Sequence, residues 1–145
     1  MSTRATYELP AGLHAGIDSV TYYVHHDGYP EGAAWKLYGM YSQLKQRKDN
    51  PYGSDRMAPN AGFAEAFILA NRDAEFTKHH SCHGDTEWKY LLSRNGTLEV
   101  FERHAFDCDE WDLFYSGPWE QFVISWLPSD VIREPIEPEG LLRSF

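Results

Sequence analysis

The clearest alternation of apolar and polar positions lies at Ser19 to His26, where Val20, Tyr22 and Val24 interleave with Thr21, Tyr23 and His25. A period of two predicts a half-buried strand, on which neighbouring side chains face opposite ways. His25 and His26 therefore cannot both enter one site while that strand stays regular. Asp27 and Gly28 read as a turn, and Pro30 suits a first helical position because its fixed φ matches a helix. From there Ala33, Ala34, Leu37, Met40, Tyr41 and Leu44 fall on one helical face, until Asp49-Asn50-Pro51 stops the run. A loop is expected over 49–59. Asn60 is then placed to cap a second helix over about Ala61 to Ala74, with Phe63, Ala66, Phe67 and Ala70 as its apolar stripe.

The segment "YLLSRNGTLEVFE" places two apolar runs around Asn95-Gly96, the preferred pair for a two-residue hairpin turn. That register sets Trp88 opposite Arg103, Lys89 opposite Glu102, Tyr90 opposite Phe101 and Leu91 opposite Val100. Residues 111–116 and 119–127 read as two further strands separated by Gly117-Pro118. One early strand, two helices and a late antiparallel group predict an α+β domain over residues 1–127, its antiparallel sheet carrying about two helices on one face. The Pro-rich residues 128–145 read as a tail or edge-covering segment.

Composition narrows the function classes. Apolar residues make up 42% and aromatic residues 15%, enough to support a core without help from disulfides. The two cysteines, Cys82 and Cys108, are too few for a disulfide scaffold. Thirteen Lys and Arg against 22 Asp and Glu give a formal charge of -9, which argues against direct nucleic-acid binding and for attraction to a basic protein surface. No 18 consecutive residues are apolar, so neither a membrane span nor a membrane partner is expected, and the cytoplasm is the expected compartment.

Two stretches could carry chemistry. "KHHSCHGD" gathers His79, His80, Cys82, His83 and Asp85, ligand types that zinc favours, with His79, Cys82, His83 and Asp85 as the candidate metal set. The residue after His79 is His80 where a metalloprotease helix has its Glu, so that motif is not met. With a first-cluster contribution, His26, Asp27, His83 and Asp85 would form a small metal-dependent hydrolase site. The second stretch, "DCDEWD", supplies Asp107, Asp109, Glu110 and Asp112, with Trp111 inside it and Tyr115 just beyond. It lacks the spacing of a calcium loop and reads as an acidic docking patch with aromatic anchors.

"HHDGYPEG" and "HGDTEWKY" together resemble segments of a loosely defined set of small proteins encoded by bacteriophages and other mobile elements. His25, Asp27, Gly28, Tyr29, Pro30 and Gly32 meet the first pattern, and His83, Gly84, Asp85, Trp88 and Tyr90 meet the second. The resemblance implies a phage or mobile-element setting and proximity of the two segments, with no activity attached. The leading expectation is a non-enzymatic, cofactor-free acidic protein that inhibits a host defence protein through a basic partner surface; the alternative is the zinc hydrolase.

Overall fold

A computed structural model describes residues 3–12, 16–49, 62–79, 84–103 and 110–128. In chain order the elements are β1 (Ala5–Pro10), β2 (Ser19–Val24), α1 (Pro30–Asp49), α2 (Phe63–Ala70), β3 (Glu75–Thr77), β4 (Trp88–Leu92), β5 (Thr97–Arg103), β6 (Trp111–Pro118) and α3 (Trp119–Trp126). The strands form one six-stranded sheet in the order β3-β2-β1-β4-β5-β6. Every neighbouring pair is antiparallel except β1 with β4, where Ala5 lies beside Trp88 and Tyr7 beside Tyr90. The class is α+β, as the element pattern predicts, with three helices where two were expected.

Alternation along each strand sorts the sheet into two faces. Ala5, Tyr7 and Leu9 of β1, Tyr22 and Val24 of β2, Tyr90 and Leu92 of β4, and Leu98 and Val100 of β5 are buried together with residues of all three helices. Helix α1 contributes Ala33, Ala34, Leu37, Met40, Tyr41 and Leu44, the face its periodicity marks out. Tyr7 is the hub. Its ring stacks on Tyr90 at 4.8 Å between centroids and meets Phe67 of α2 at 4.9 Å.

The turn at Asp27-Gly28 joins three parts of the chain. The Gly28 N–H donates to Thr3 O at 2.8 Å, and its carbonyl accepts the Tyr90 hydroxyl at 2.6 Å. A Cβ at Gly28 would come within 2.6 Å of Ala5 Cβ, so the junction requires glycine. Asp27 itself takes φ 58, and α1 starts at Pro30 as expected.

Four expectations need correction, the first being the single early strand, since β1 and β3 also precede the hairpin. The hairpin loop holds three residues, Arg94, Asn95 and Gly96, because Gly96 at φ 90 closes a turn in which its N–H donates to Ser93 O at 3.0 Å. Ser93 Oγ and Asn95 Oδ1 accept from the Thr97 N–H at 3.2 and 3.1 Å and fix this turn. The register moves by one residue, so Tyr90 pairs with Val100 and Lys89 with Phe101. That one-residue slip decides the faces, since it sets two core side chains opposite one another.

Residues 119–126 are helical, not extended. Trp119, Phe122, Val123 and Leu127 are buried at helical spacing, and Pro118 precedes the first turn without needing an N–H. The second helix spans Phe63–Ala70, shorter than expected, with Gly62 at its N-cap. Glu65 anchors that end by accepting the N–H of Gly62 at 2.7 Å and of Gly12 at 2.9 Å. Asn60 and the tail after Pro128 lie outside the described residues.

Candidate functional site

The second face of the sheet carries Thr21 and Tyr23 of β2, Thr6 and Glu8 of β1, Lys89 and Leu91 of β4, Glu99, Phe101 and Arg103 of β5, and Trp111 and Leu113 of β6. None of the described helices covers it: the core residues of all three belong to the other face. Along one end of this face runs a continuous strip of contacts, from edge to edge of the sheet. On β3, Glu75 Oε1 lies 3.2 Å from His25 Nε2, and the His25 ring meets Tyr23 edge-on at 4.7 Å. The Tyr23 hydroxyl donates to Asp85 Oδ1 at 2.9 Å, and Arg4 Nε lies 2.8 Å from Asp85 Oδ2, an ion pair without hydrogen-bond alignment.

One residue away, the Gly84 carbonyl accepts from Arg103 Nη1 at 2.9 Å. The Arg103 guanidinium stands 4.9 Å from the Trp111 ring centre, and Lys89 Nζ stands 4.6 Å from the same ring and 5.0 Å from Phe101. The strip therefore alternates charged and aromatic groups in contact with one another. Thr6, between Tyr23 and Lys89 in register, is 1% exposed although it lies on the face opposite the described helices.

The electrostatics favour recognition over proton transfer. Burial first, and then the hydrogen bond to Asp85, push the Tyr23 hydroxyl up to about 12. It keeps its proton at neutral pH. Asp85 is engaged on one oxygen by Tyr23 and on the other by Arg4, so it is a structural acceptor rather than an idle base. At the other end of the face, Glu8, Asp18, Leu91, Arg94, Thr97 and Glu99 line a shallow groove of about 430 Å³. There Arg94 Nη2 donates to Asp18 O at 3.1 Å.

The sequence-derived candidates separate in space. His26 is exposed at the turn beyond β2, and Asp27 accepts from the Tyr29 hydroxyl at 3.2 Å. Of the proposed catalytic set only Asp85 joins the strip, while His83 lies outside the described residues. Of the metal set, Cys82 and His83 lie outside them, His79 offers its backbone carbonyl to Thr77 Oγ1 at 3.4 Å, and Asp85 faces Arg4. Among the described residues no group of three or more His, Cys, Asp and Glu is placed to hold a metal ion.

The docking patch is also divided. Asp107 and Asp109 lie outside the described residues, and Glu110 and Asp112 are exposed. Trp111 and Tyr115 do not form one pair of anchors, because a bulge between Val100 and Phe101 makes Phe114 the extra residue of β6. Trp111 is left on the uncovered face. Tyr115 turns to the core side, where its ring meets Phe122 at 5.3 Å and its hydroxyl donates to Pro118 O at 2.7 Å.

Arg4, Tyr23, Glu75 and Arg103 were not singled out by the sequence. The available signal was the odd-numbered register of β4 and β5, where Lys89, Phe101 and Arg103 fall on the face opposite Tyr90 and Val100. What fold and strip define is an α+β protein with one sheet face packed under the described helices and a second face that none of them covers. Comparison with protein families, with curated proteins and with solved structures finds no match for this chain.

Proposed function

We propose that this is a non-enzymatic acidic binding protein that presents its uncovered sheet face and acidic rim to a basic protein surface. The supporting observation is where the cations of that face go. Arg4 pairs with Asp85, Arg103 donates to Gly84 O and stacks on Trp111, Lys89 lies over Phe101 and Trp111, and Arg94 donates to Asp18 O. Each is engaged by a group of this chain, and Glu99, Glu102, Glu110 and Asp112 are exposed on β5 and β6 or just before β6. A net charge of -9 then projects a field that draws in a basic partner.

The phage resemblance fits this mode, in which a small acidic protein inhibits a host defence factor by occupying its positive surface. Replacing Asp109, Glu110 and Asp112 together by Lys is expected to abolish capture of a basic partner from host lysate while leaving the melting temperature close to that of the parent. Capture undiminished by the triple change, or insensitive to salt, rules out the acidic rim as the contact.

A further inference from the structure

The two edges of the sheet are unequal. One ends in β3, only three residues long, and the other in β6, eight residues long, with no described strand on its outer side. A strand that short offers little backbone to a partner, whereas a long one leaves a row of donors and acceptors open.

The direction of those groups follows from the ladder. The Trp119 N–H donates to Gly96 O at 3.1 Å, one step beyond the Thr97 and Pro118 pair. Antiparallel alternation makes Glu99 and Ser116 a pair that does not bond across the ladder, so the Ser116 N–H and C=O point away from β5.

Side chains along the same edge are apolar and accessible. Leu113 is 58% exposed and Phe114 41%, and the bulge carries the Phe114 ring to 5.2 Å from Trp88 and 5.7 Å from Trp126. Trp126 and Ile124 of α3 extend this patch at 37% and 45% exposure. Open backbone and apolar anchors at one edge are the two requirements for adding an extended peptide as a further strand. Charge selects the peptide. Asp112, Glu110, Glu102 and Glu99 line the edge and its neighbouring strand, whereas Lys89 and Arg103 are drawn inward over Trp111.

From these observations we infer that β6 is a strand-addition edge, and that its occupant is an extended basic segment of the partner, with apolar side chains alternating with Lys or Arg. This inference rests on the acidic-binder reading and names the partner's chemistry. A second copy of the chain is the disfavoured occupant because two edges of the same negative sign would meet.

The test uses the full ¹⁵N-labelled chain and three synthetic ten-residue peptides. One alternates lysine and valine, one has the same sequence with alternate amides methylated, and one alternates glutamate and valine. The lysine peptide is expected to shift the β6 amides and to slow exchange at Ser116 by about tenfold or more, the methylated peptide to bind about tenfold more weakly, and the glutamate peptide not to bind.

Equal binding of the methylated peptide, shifts confined to the groove around Glu8 and Glu99, or no binding of the lysine peptide would each overturn strand addition. So would protection of Ser116 that grows with protein concentration in the absence of peptide, which assigns the edge to a second copy. The outcomes separate the two proposals. Partner capture that is lost on charge reversal, alongside a lysine peptide that fails at β6, removes the strand-addition edge and leaves the acidic binder standing.

Discussion

The same strands make two very different surfaces. In β1, Ala5, Tyr7 and Leu9 join a core under three helices, while Thr6 and Glu8, one position away, point to the other face, over which no described helix lies. Yet Thr6 and Tyr23 on the uncovered side are each 1% exposed, as dry as the core residues opposite. On that side Tyr23 is engaged by the edge of the His25 ring and by the Tyr23–Asp85–Arg4 contacts. The comparison teaches that one face draws its stability from apolar area and the other from pairwise polar contacts. The first is worth far more per residue.

The largest effect should come from the covered face. Phe67 is fully buried and meets both Tyr7 and Tyr22, so Phe67→Ala is expected to cost about 3–5 kcal/mol in urea unfolding. A cost no greater than that of an exposed residue would break the contrast between the faces.

Next comes the tyrosine stack, whose members differ in one bond. Tyr90 donates to Gly28 O, while the buried Tyr7 hydroxyl has no hydrogen-bond partner among the described residues. Tyr90→Phe should cost roughly 1–2 kcal/mol because it strands a buried carbonyl, and Tyr7→Phe should be neutral or stabilising. Urea midpoints of the two variants check the pair. A loss at Tyr7 equal to that at Tyr90 would mean the hydroxyl does not act through that bond.

Glu120 of α3 tests how the covered face treats charge. It is 2% exposed, its Oε1 is buried without a hydrogen-bond partner among the described residues, and burial raises its carboxyl above the ordinary value. A carboxyl raised in the folded state costs nothing while protonated in both states, and is penalised as pH climbs through its folded value. Its contribution to stability is therefore fullest in acid and lost towards neutral pH. Glu120→Gln should flatten this part of the stability profile and raise the melting temperature at pH 7 by a few degrees. An unchanged profile in thermal melts at several pH values would remove Glu120 as its source.

The smallest effect is expected on the uncovered face. Asp85→Asn removes an acceptor that helps hold the Tyr23 hydroxyl at about 12 and leaves Arg4 unpaired. Tyrosine absorbance on alkaline titration should show one hydroxyl moving down towards its ordinary value, with a stability loss of about 1 kcal/mol or less. In the parent, the Tyr23 contribution is present below pH 10 and is lost as pH rises through about 12. A titration curve that does not move would break the Tyr23–Asp85 link.

How much of this the sequence shows depends on which physics wrote it. The core face of α1 is readable because burial imposes a helical period from Ala33 to Leu44. The strand at Ser19–Val24 is readable for the same reason with a period of two. The hairpin is recognisable, but its register is not: Asn95-Gly96 serves a two-residue and a three-residue loop equally, and side-chain bonds from Ser93 and Asn95 choose between them. Helix α3 was hidden by its apolar density, since "WEQFVISWL" reads as a buried strand until Trp119, Phe122, Val123 and Leu127 are seen to share a face. The strip was hidden for a different reason. Arg4, Tyr23, Glu75, Asp85 and Arg103 are scattered along the chain and become neighbours only when β1 is set between β2 and β4.

That placement governs the order in which the molecule can assemble. Strand β1 is an inner strand of the sheet, and it meets β4 in the only parallel pairing among the described strands, with Ala5 beside Trp88. The β1–β2 and β4–β5 pairs close over short spans of chain. The seam between them has to span most of the chain, and its loop-closure entropy must be met before its contacts are gained. Closure of that seam is thus the expected slow step of sheet formation, and the turn at Gly28, which touches both Thr3 and Tyr90, clasps the seam in the folded protein.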